Sequence, residues 1–464
     1  MAHDVIVIGG GAAGEGAATL SAQLGGRVAL VERDLVGGIC SFWACLPAKA
    51  LLDSAHRRAI GADYPWDRAS DRRDWMISRE HLDHPDDTAH VRMVEGAGAE
   101  IVRGAARIVA PGRVEVTADG ERPRTLEAGS VIAAVGSVPV IPPIEGLQDA
   151  GFWTSNDGTS LRDMPSSIVV LGGGPIGVEL AQVYARFGAQ TTLVEGADRI
   201  MPRDHPETSR ILTEALQEDG VTIRTGVLAQ KVERGGAGRR VHLSDGSSVE
   251  GAELLVAVGR RPADLRELGV EEAGGTLDEK GVARPDDHLG IGRGLYVAGD
   301  AAGGMQFTHL ADYEGRITAR NALGQDAVAD LTAIPRTAFT DPEAAAIGLT
   351  VEEARERGID AFEVTQDFSV TSRGFAIEPT YGDRDGHRGV PGHVALVVDR
   401  EREGVVGAFA ASPGAAEYIH LAVPAVKLGT PLAQLADTIT AYPTGARVLG
   451  NLFIAAWRRL HDPT

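Results

Sequence analysis

The sequence predicts an α/β protein with two Rossmann-like units followed by a separate C-terminal α+β domain, and three observations predict it. A β-branched strand runs into a GxGxxG loop at Val5-Ile6-Val7-Ile8-Gly9-Gly10-Gly11-Ala12-Ala13-Gly14. The pattern returns at Ile168-Val169-Val170-Leu171-Gly172-Gly173-Gly174-Pro175-Ile176-Gly177. In each copy an acid ends the next strand, Glu32 after Arg27 to Val31 and Glu195 after Thr191 to Val194, and 23 positions separate Gly9 from Glu32 as they separate Gly172 from Glu195.

The physical demand is the same in both copies. Glycines let the backbone approach a pyrophosphate whose charge rests on the amides opening the helix. An acid about 20 residues on accepts from a ribose hydroxyl. A lone GxGxxG is also compatible with an ordinary tight turn, but the spacing matches twice. The chain is therefore expected to bind two dinucleotides, one on Gly9, Gly11, Gly14 and Glu32, the other on Gly172, Gly174, Ile176, Gly177 and Glu195. Two such units in one chain point to electron transfer between two cofactors.

Between the copies, Ile101-Val102, Arg107 to Ala110 and Arg113 to Val116 read as short strands, and Ser130 to Gly136 as the strand that returns the chain to its sheet. Glu253 to Gly259 repeats that return after the second copy, and Gly294 to Asp300 gives a last strand before a helix from about 309 to 322. Ile334-Pro335 reads as a linker. Beyond it, Arg336 to Phe339, His393 to Val398 and Val405 to Ala411 read as strands, with helices near 350–357, 415–429 and 445–459. The expected domains are 1–145 with 270–333, then 146–269, then 334–464.

Composition narrows the function. The 464 residues are 43% apolar and carry 45 Lys+Arg against 65 Asp+Glu, a formal charge of -20 that would repel a nucleic-acid backbone. No window approaches 18 uninterrupted apolar residues, so no membrane span is expected, and no basic leader precedes the first strand. A soluble cytoplasmic protein is the expectation. Only Lys49, Lys231, Lys280 and Lys427 are lysine.

The only two cysteines lie just beyond the first acid, in Gly37-Gly38-Ile39-Cys40-Ser41-Phe42-Trp43-Ala44-Cys45-Leu46-Pro47-Ala48-Lys49. On an ideal helix five residues rise about 7.5 Å, too far for a disulfide, so a bridge between Cys40 and Cys45 requires a distorted turn. A helix N-terminus lowers a thiol pKa. In a reducing compartment such a pair reads as catalytic, the alternative being two inert buried thiols.

The run from Gly37 to Leu52, the two GxGxxG copies, Gly136, Gly259-Arg260-Arg261-Pro262, Gly299-Asp300 and Phe339-Thr340-Asp341-Pro342-Glu343 together resemble the class I flavin-dependent pyridine nucleotide-disulfide oxidoreductases, among them dihydrolipoyl dehydrogenase, glutathione reductase and mercuric reductase. The resemblance covers essentially the whole chain. It implies FAD on the first unit, NADH or NADPH on the second, and a homodimer formed through the C-terminal domain. It makes Cys45 the thiol next to the flavin and Cys40 the thiol that attacks substrate. It places Gly9, Gly11, Gly14, Glu32, Gly38, Gly136, Asp300 and Thr308 on FAD, and Gly259 with the second motif on the nicotinamide cofactor. Lys49 and Glu179 match an ion pair beside the flavin ring, where a cation stabilises reduced, anionic flavin. Glu195 would repel a 2′-phosphate and favours NADH over NADPH, a preference that nearby Arg199 softens.

The pattern breaks in Ala441-Tyr442-Pro443-Thr444-Gly445-Ala446-Arg447. Tyr442 stands where disulfide-acting relatives have the His contributed by the partner subunit, and Arg447 where they have its Glu. A phenol titrates near 10 and cannot exchange a proton at neutral pH as imidazole does. Tyr442 could still donate a hydrogen bond and Arg447 favour a thiolate, or both could pack the subunit interface. Mercuric reductases share the Tyr but add a C-terminal cysteine pair, and this chain ends Trp457-Arg458-Arg459-Leu460-His461-Asp462-Pro463-Thr464. Phe42 and Ala44 replace the usual Asn and Gly between the cysteines. Phe42-Trp43 reads equally as an apolar approach for substrate or as core. His309 and His420 are candidate substitute bases. His81, His84 and His90 read as a solvated loop, and no metal site is expected. The leading expectation is an NADH-dependent reductase of a small disulfide. The alternatives are a flavin NADH dehydrogenase of quinone-like acceptors, a dihydrolipoyl dehydrogenase-like enzyme with an altered acid-base residue, and a redox sensor of low turnover.

Overall fold

The computed structural model describes residues 2–78, 85–236, 238–382 and 388–461. It is a mixed α/β protein, and its chain divides into two units, each built of discontinuous segments. The first comprises 1–47, 71–140 and 259–330, the second 48–70, 141–258 and 331–464.

In the first unit, strands Leu295–Val297, Arg124–Ala133, His3–Ile8, Val28–Glu32 and Glu100–Arg103 lie side by side in parallel. Val5 pairs with Val28 on one side and with Ser130 on the other. Val5 to Ile8 are all buried, the near-continuous apolar run expected of a parallel strand covered on both faces. Strands Ala105–Ala110 and Arg113–Thr117 extend the sheet by antiparallel pairing onto Arg124–Ala133.

The second unit repeats the arrangement on a smaller scale. Thr222–Arg224, Gln190–Val194, Ser167–Leu171 and Glu253–Val256 form a four-stranded parallel sheet, and helix Pro175–Arg186 opens with Pro at its first position, where no amide is needed. A three-stranded antiparallel sheet follows, Ala229–Gly235, Gly238–Leu243 and Ser248–Gly251. The same unit carries a five-stranded antiparallel sheet in the order Arg336–Ala338, Ala344–Gly348, Gly404–Ala411, His393–Asp399, Ala361–Asp367. Against it packs helix Gly445–His461, through Val448, Leu449, Leu452 and Phe453.

Two of these five strands, Ala344–Gly348 and Ala361–Asp367, are absent from the sequence expectation. The stretch read as one helix over 415–429 is three pieces, Ala415–Tyr418, a 3-10 turn Ile419–Leu421 and Ala422–Lys427. Pro424 sits in the first turn of the last piece, where proline is tolerated, so the helix restarts there rather than continuing through. Among the described residues no helix is long and apolar enough to cross a membrane.

Candidate active site

The two glycine-loop motifs are superimposable in their hydrogen bonding. Glu32 Oε2 accepts from the Gly10 amide at 2.5 Å and Oε1 from the Asp34 amide at 2.7 Å. Glu195 Oε2 accepts from the Gly173 amide at 2.5 Å and Oε1 from the Ala197 amide at 2.7 Å. Each carboxylate is thus fixed against its own glycine loop with lone pairs remaining for a ribose hydroxyl. The helices behind, Ala12–Gln23 and Pro175–Arg186, start from Gly11 and Gly174, and neither has a side-chain cap. The amides of their first turns, from Ala12 in one and from Ile176 after Pro175 in the other, therefore face outward as donors for an external anion. Gly38, at φ 64°, packs so close to Gly11 that a Cβ would fall 2.7 Å from its Cα, and any side chain there would crowd the loop. These residues fit a dinucleotide in each copy.

The cysteines sit on either side of a helix break. Gly38–Phe42 is one short helix and Cys45–Ala59 the next, with Trp43 at φ -132° between them. This is the distorted turn that a C-x4-C pair needs. Thr308, the first residue of helix Thr308–Ala322, lies between the sulfurs: its hydroxyl donates to Cys40 Sγ at 3.0 Å and is 3.4 Å from Cys45 Sγ. Cys45 occupies the first position of its helix, where the helix dipole favours a thiolate. Phe42 is buried and packs edge-on to His90, at 5.7 Å between centroids, which makes it core rather than a substrate approach.

One turn along the same helix, Lys49 Nζ is 2.8 Å from Glu179 Oε2 and 3.0 Å from Oε1. Glu179 is buried and also accepts from the Phe339 amide at 2.9 Å, while the Phe339 ring lies 4.8 Å below the ammonium.

Asp300, in the turn Gly299–Ala302, accepts from Ser137 Oγ at 2.5 Å. Three neighbours of the predicted residues escaped the sequence reading as site residues. Ser137 follows Gly136 directly. Arg260 follows Gly259 and donates to both Ser137 Oγ and the Ser137 carbonyl, at 2.9 and 2.7 Å. Burial lowers its guanidinium pKa, against the pull of Asp300 and Cys45, and it stays charged. Glu314 accepts from the Gly299 amide at 2.7 Å, and burial raises its carboxyl to about 7. Arg260 stood in a quoted motif, whereas nothing in the one-dimensional spacing marks Glu314.

Gly136, at φ 73°, accepts from the Ala263 amide, and Gly259, at φ 119°, from the Val140 amide, so both stand where strand Ser137–Pro139 pairs with Arg260–Pro262. Ile176 lies in the first turn of its helix and packs on the second unit's core. Tyr442 is 72% exposed and donates to Ser372 Oγ at 2.7 Å. His309 stacks on Phe307, and His420 is exposed in the turn Ile419–Leu421. His90 pairs with Glu15 at 2.7 Å, while His81 and His84 lie outside the described residues. Among the described residues no group of His, Cys, Asp and Glu is placed to hold a metal ion.

Comparison with known proteins shows what the chain is similar to. A family model described as pyridine nucleotide-disulphide oxidoreductase matches residues 3–315, and the dimerisation-domain model of that family matches 334–452. A dihydrolipoyl dehydrogenase of Thermus scotoductus is 34% identical over 95% of this chain and 95% of its own. A mercuric reductase of Staphylococcus aureus is 29% identical over 96% of this chain and 81% of its own. Among solved structures, the Cu(II) complex of the HOCl-induced flavoprotein disulfide reductase RclA from Escherichia coli is similar at a TM-score of 0.85 and 26% identity, over 98% of this chain and 99% of that one. LpdA from Mycobacterium tuberculosis is similar at 0.86 and 26%, with the same coverage.

Proposed function

The chain belongs to the pyridine nucleotide-disulphide oxidoreductase family, and from that premise we propose that it passes electrons from NADH through FAD to the Cys40–Cys45 pair and on to a small disulfide. We assign FAD to 1–145 with 270–333, NADH to 146–269 and subunit contact to 334–464. The observation that carries the reading is the Thr308 hydroxyl bracketed by the two sulfurs, at 3.0 and 3.4 Å.

The chemistry divides among named atoms. FAD, when bound, supplies the two-electron relay between nicotinamide and thiols. Gly9, Gly11, Gly14, Gly38, Glu32, Gly136 and Asp300 would hold it. Gly172, Gly174, Ile176, Gly177, Glu195 and Gly259 would hold the nicotinamide nucleotide. Lys49, oriented by Glu179, sets a positive charge for reduced flavin. The Cys40 thiolate attacks one sulfur of the substrate disulfide, forming a mixed disulfide and releasing the first thiolate. The Cys45 thiolate then attacks Cys40 Sγ, closing the protein disulfide and releasing the second. Arg260 and the helix N-terminus favour Cys45 as thiolate, and Thr308 steadies Cys40 by donation. Because the Tyr442 phenol holds Ser372, we read it as a positioning donor rather than an acid-base group, with solvent protonating the leaving thiolates.

NADH is favoured over NADPH by the Glu195 carboxylate. Arg199 is engaged elsewhere, donating to Ser209 Oγ at 3.3 Å and to the Pro202 carbonyl at 2.8 Å.

Anaerobic titration with NADH tests the relay. A long-wavelength absorbance band is expected at two electrons in the wild type and not in Cys45→Ser, and Cys40→Ser is expected to lose disulfide turnover by roughly 10³-fold. Simple bleaching of the yellow colour in both Cys45 forms, with quinone turnover intact in Cys40→Ser, would instead assign the protein to quinone-like acceptors.

A further inference from the structure

Behind the Lys49–Glu179 pair lies a buried charge network that the chemistry above does not use. Helix Pro175–Arg186 presents Glu179, Gln182 and Arg186 at i, i+3 and i+7, one face of the helix. Lys49 and His56 share a face of helix Cys45–Ala59 two turns apart. Residues Phe339 to Asp341 run between these stripes and bond to both. The Phe339 amide donates to Glu179, and the Asp341 amide to Gln182 Oε1 at 2.8 Å. Gln182 Nε2 returns a bond to the Asp341 carbonyl at 2.8 Å and another to Asp219 at 2.9 Å. The Asp341 carboxylate takes Arg186 Nη1 at 2.9 Å and His56 Nδ1 at 3.1 Å, and Arg186 Nε reaches Asp219 at 2.9 Å.

We propose that Asp341, Gln182, Arg186 and His56 are positioning residues that fix the Phe339 backbone and ring, and through them the orientation of Lys49 on Glu179. The reason is geometric. Among the described residues Glu179 takes hydrogen bonds from Lys49 and from the Phe339 amide, so a shift of Phe339 is passed through the Glu179 carboxylate to the Lys49 ammonium. Phe339 lies two residues from Asp341, which is pinned on the amide and the carbonyl by Gln182 and on the carboxylate by Arg186, His56 and Thr380. The charge of the clamp persists at neutral pH: burial opposes ionisation of Asp341, yet the His56 bond and the Arg186 charge outweigh it and hold the carboxyl at about 2. Arg186 and Asp219 are almost fully buried, so severing the clamp strands charge and forces rearrangement rather than hydration in place.

The inference rests on the reading that Lys49 serves the flavin, and the test separates the two. With only four lysines, competitive acetylation of the holoenzyme followed by mass spectrometry reports Lys49 against Lys231, Lys280 and Lys427 as internal references. In Asp341→Asn the relative reactivity of Lys49 is expected to rise severalfold. Rapid reduction by NADH is expected to slow about tenfold with KM little changed, since a small misplacement of a charge near the chemistry has this scale of effect. Should Asp341→Asn fail to fold, His56→Ala, at a half-exposed position, is expected to show the same signs more weakly. Unchanged Lys49 reactivity in the folded variant overturns the clamp. Raised reactivity with an unchanged reduction rate and flavin potential upholds the clamp and removes Lys49 from the flavin chemistry instead.

Discussion

Single residues here are tuned against their environments in opposite directions. Burial raises the Glu314 carboxyl from 4.5 to about 7. Burial, aided by the stacked His205, lowers the His393 imidazole from 6.5 to about 4. Between pH 4.5 and 7 the folded state keeps the Glu314 proton that the unfolded chain has lost, so Glu314 makes stability fall as pH rises. Between 4 and 6.5 the unfolded chain holds a His393 proton that the folded state refuses, so His393 makes stability rise over nearly the same window. Each shift is worth about 3 kcal/mol at full extent, and in the wild type they offset. Urea midpoints at pH 5 and pH 7.5 test this. Glu314→Gln, which keeps an acceptor for Gly299, is expected to gain stability toward pH 7.5. His393→Asn is expected to lose stability toward that pH. A Glu314→Gln profile parallel to wild type would place the carboxylate in water. The sequence carried no sign of Glu314 or His393, because their environments are assembled from segments far apart in the chain. Cys40, Cys45, Glu32 and Glu195 could be picked out in the sequence because each stands at a fixed local spacing from its neighbours.

At the scale of elements, what could be read was whatever obeys a local rule. Both glycine-loop units follow from strand, loop and helix in immediate succession. The strand Ala344–Gly348 could not be read, since Ala-Ala-Ala-Ile-Gly has weak strand propensity, and only pairing with Gly404–Ala411 and Arg336–Ala338 makes it one. The C-x4-C spacing already called for a distorted turn at the cysteines, and the structure places it at Trp43, between Gly38–Phe42 and Cys45–Ala59. The glycine loops also give a sharp element-scale expectation. At Gly14 and Gly177 an added Cβ would overlap the carbonyl oxygen of Gly9 and of Gly172, so the helix must back away from its loop. Gly177→Ala is therefore expected to raise the KM for NADH more than tenfold while the ratio of flavin to protein absorbance stays at its wild-type value. Flavin loss with an unchanged KM would exchange the assignments of the two units.

Across the whole molecule, charge and apolar surface pull against each other. The dimerisation model of the family covers 334–452, and within it Ile439 is 95% exposed, Leu428 75% and Tyr442 72%. Each chain carries a formal charge of -20, so self-association must overcome repulsion between two acidic bodies. Apolar contact is the term available to do so, and in a two-fold interface each apolar residue counts twice. Burying Ile439 contributes about 2 kcal/mol per copy, or about 4 kcal/mol per dimer, close to a thousandfold in the dissociation constant. Ile439→Asp removes that contribution and adds to the repulsion. In light scattering after gel filtration it is expected to move from twice the 48.6 kDa chain mass toward the chain mass itself. Salt screens the repulsion, so 0.5 M sodium chloride is expected to restore part of the dimer. If Tyr442 acts on the partner's cysteines, disulfide turnover is expected to fall and to recover with the dimer fraction, and reduction of the flavin by NADH is expected to hold steady. An Ile439→Asp protein that remains a dimer would move the interface to another face of the 334–464 segment.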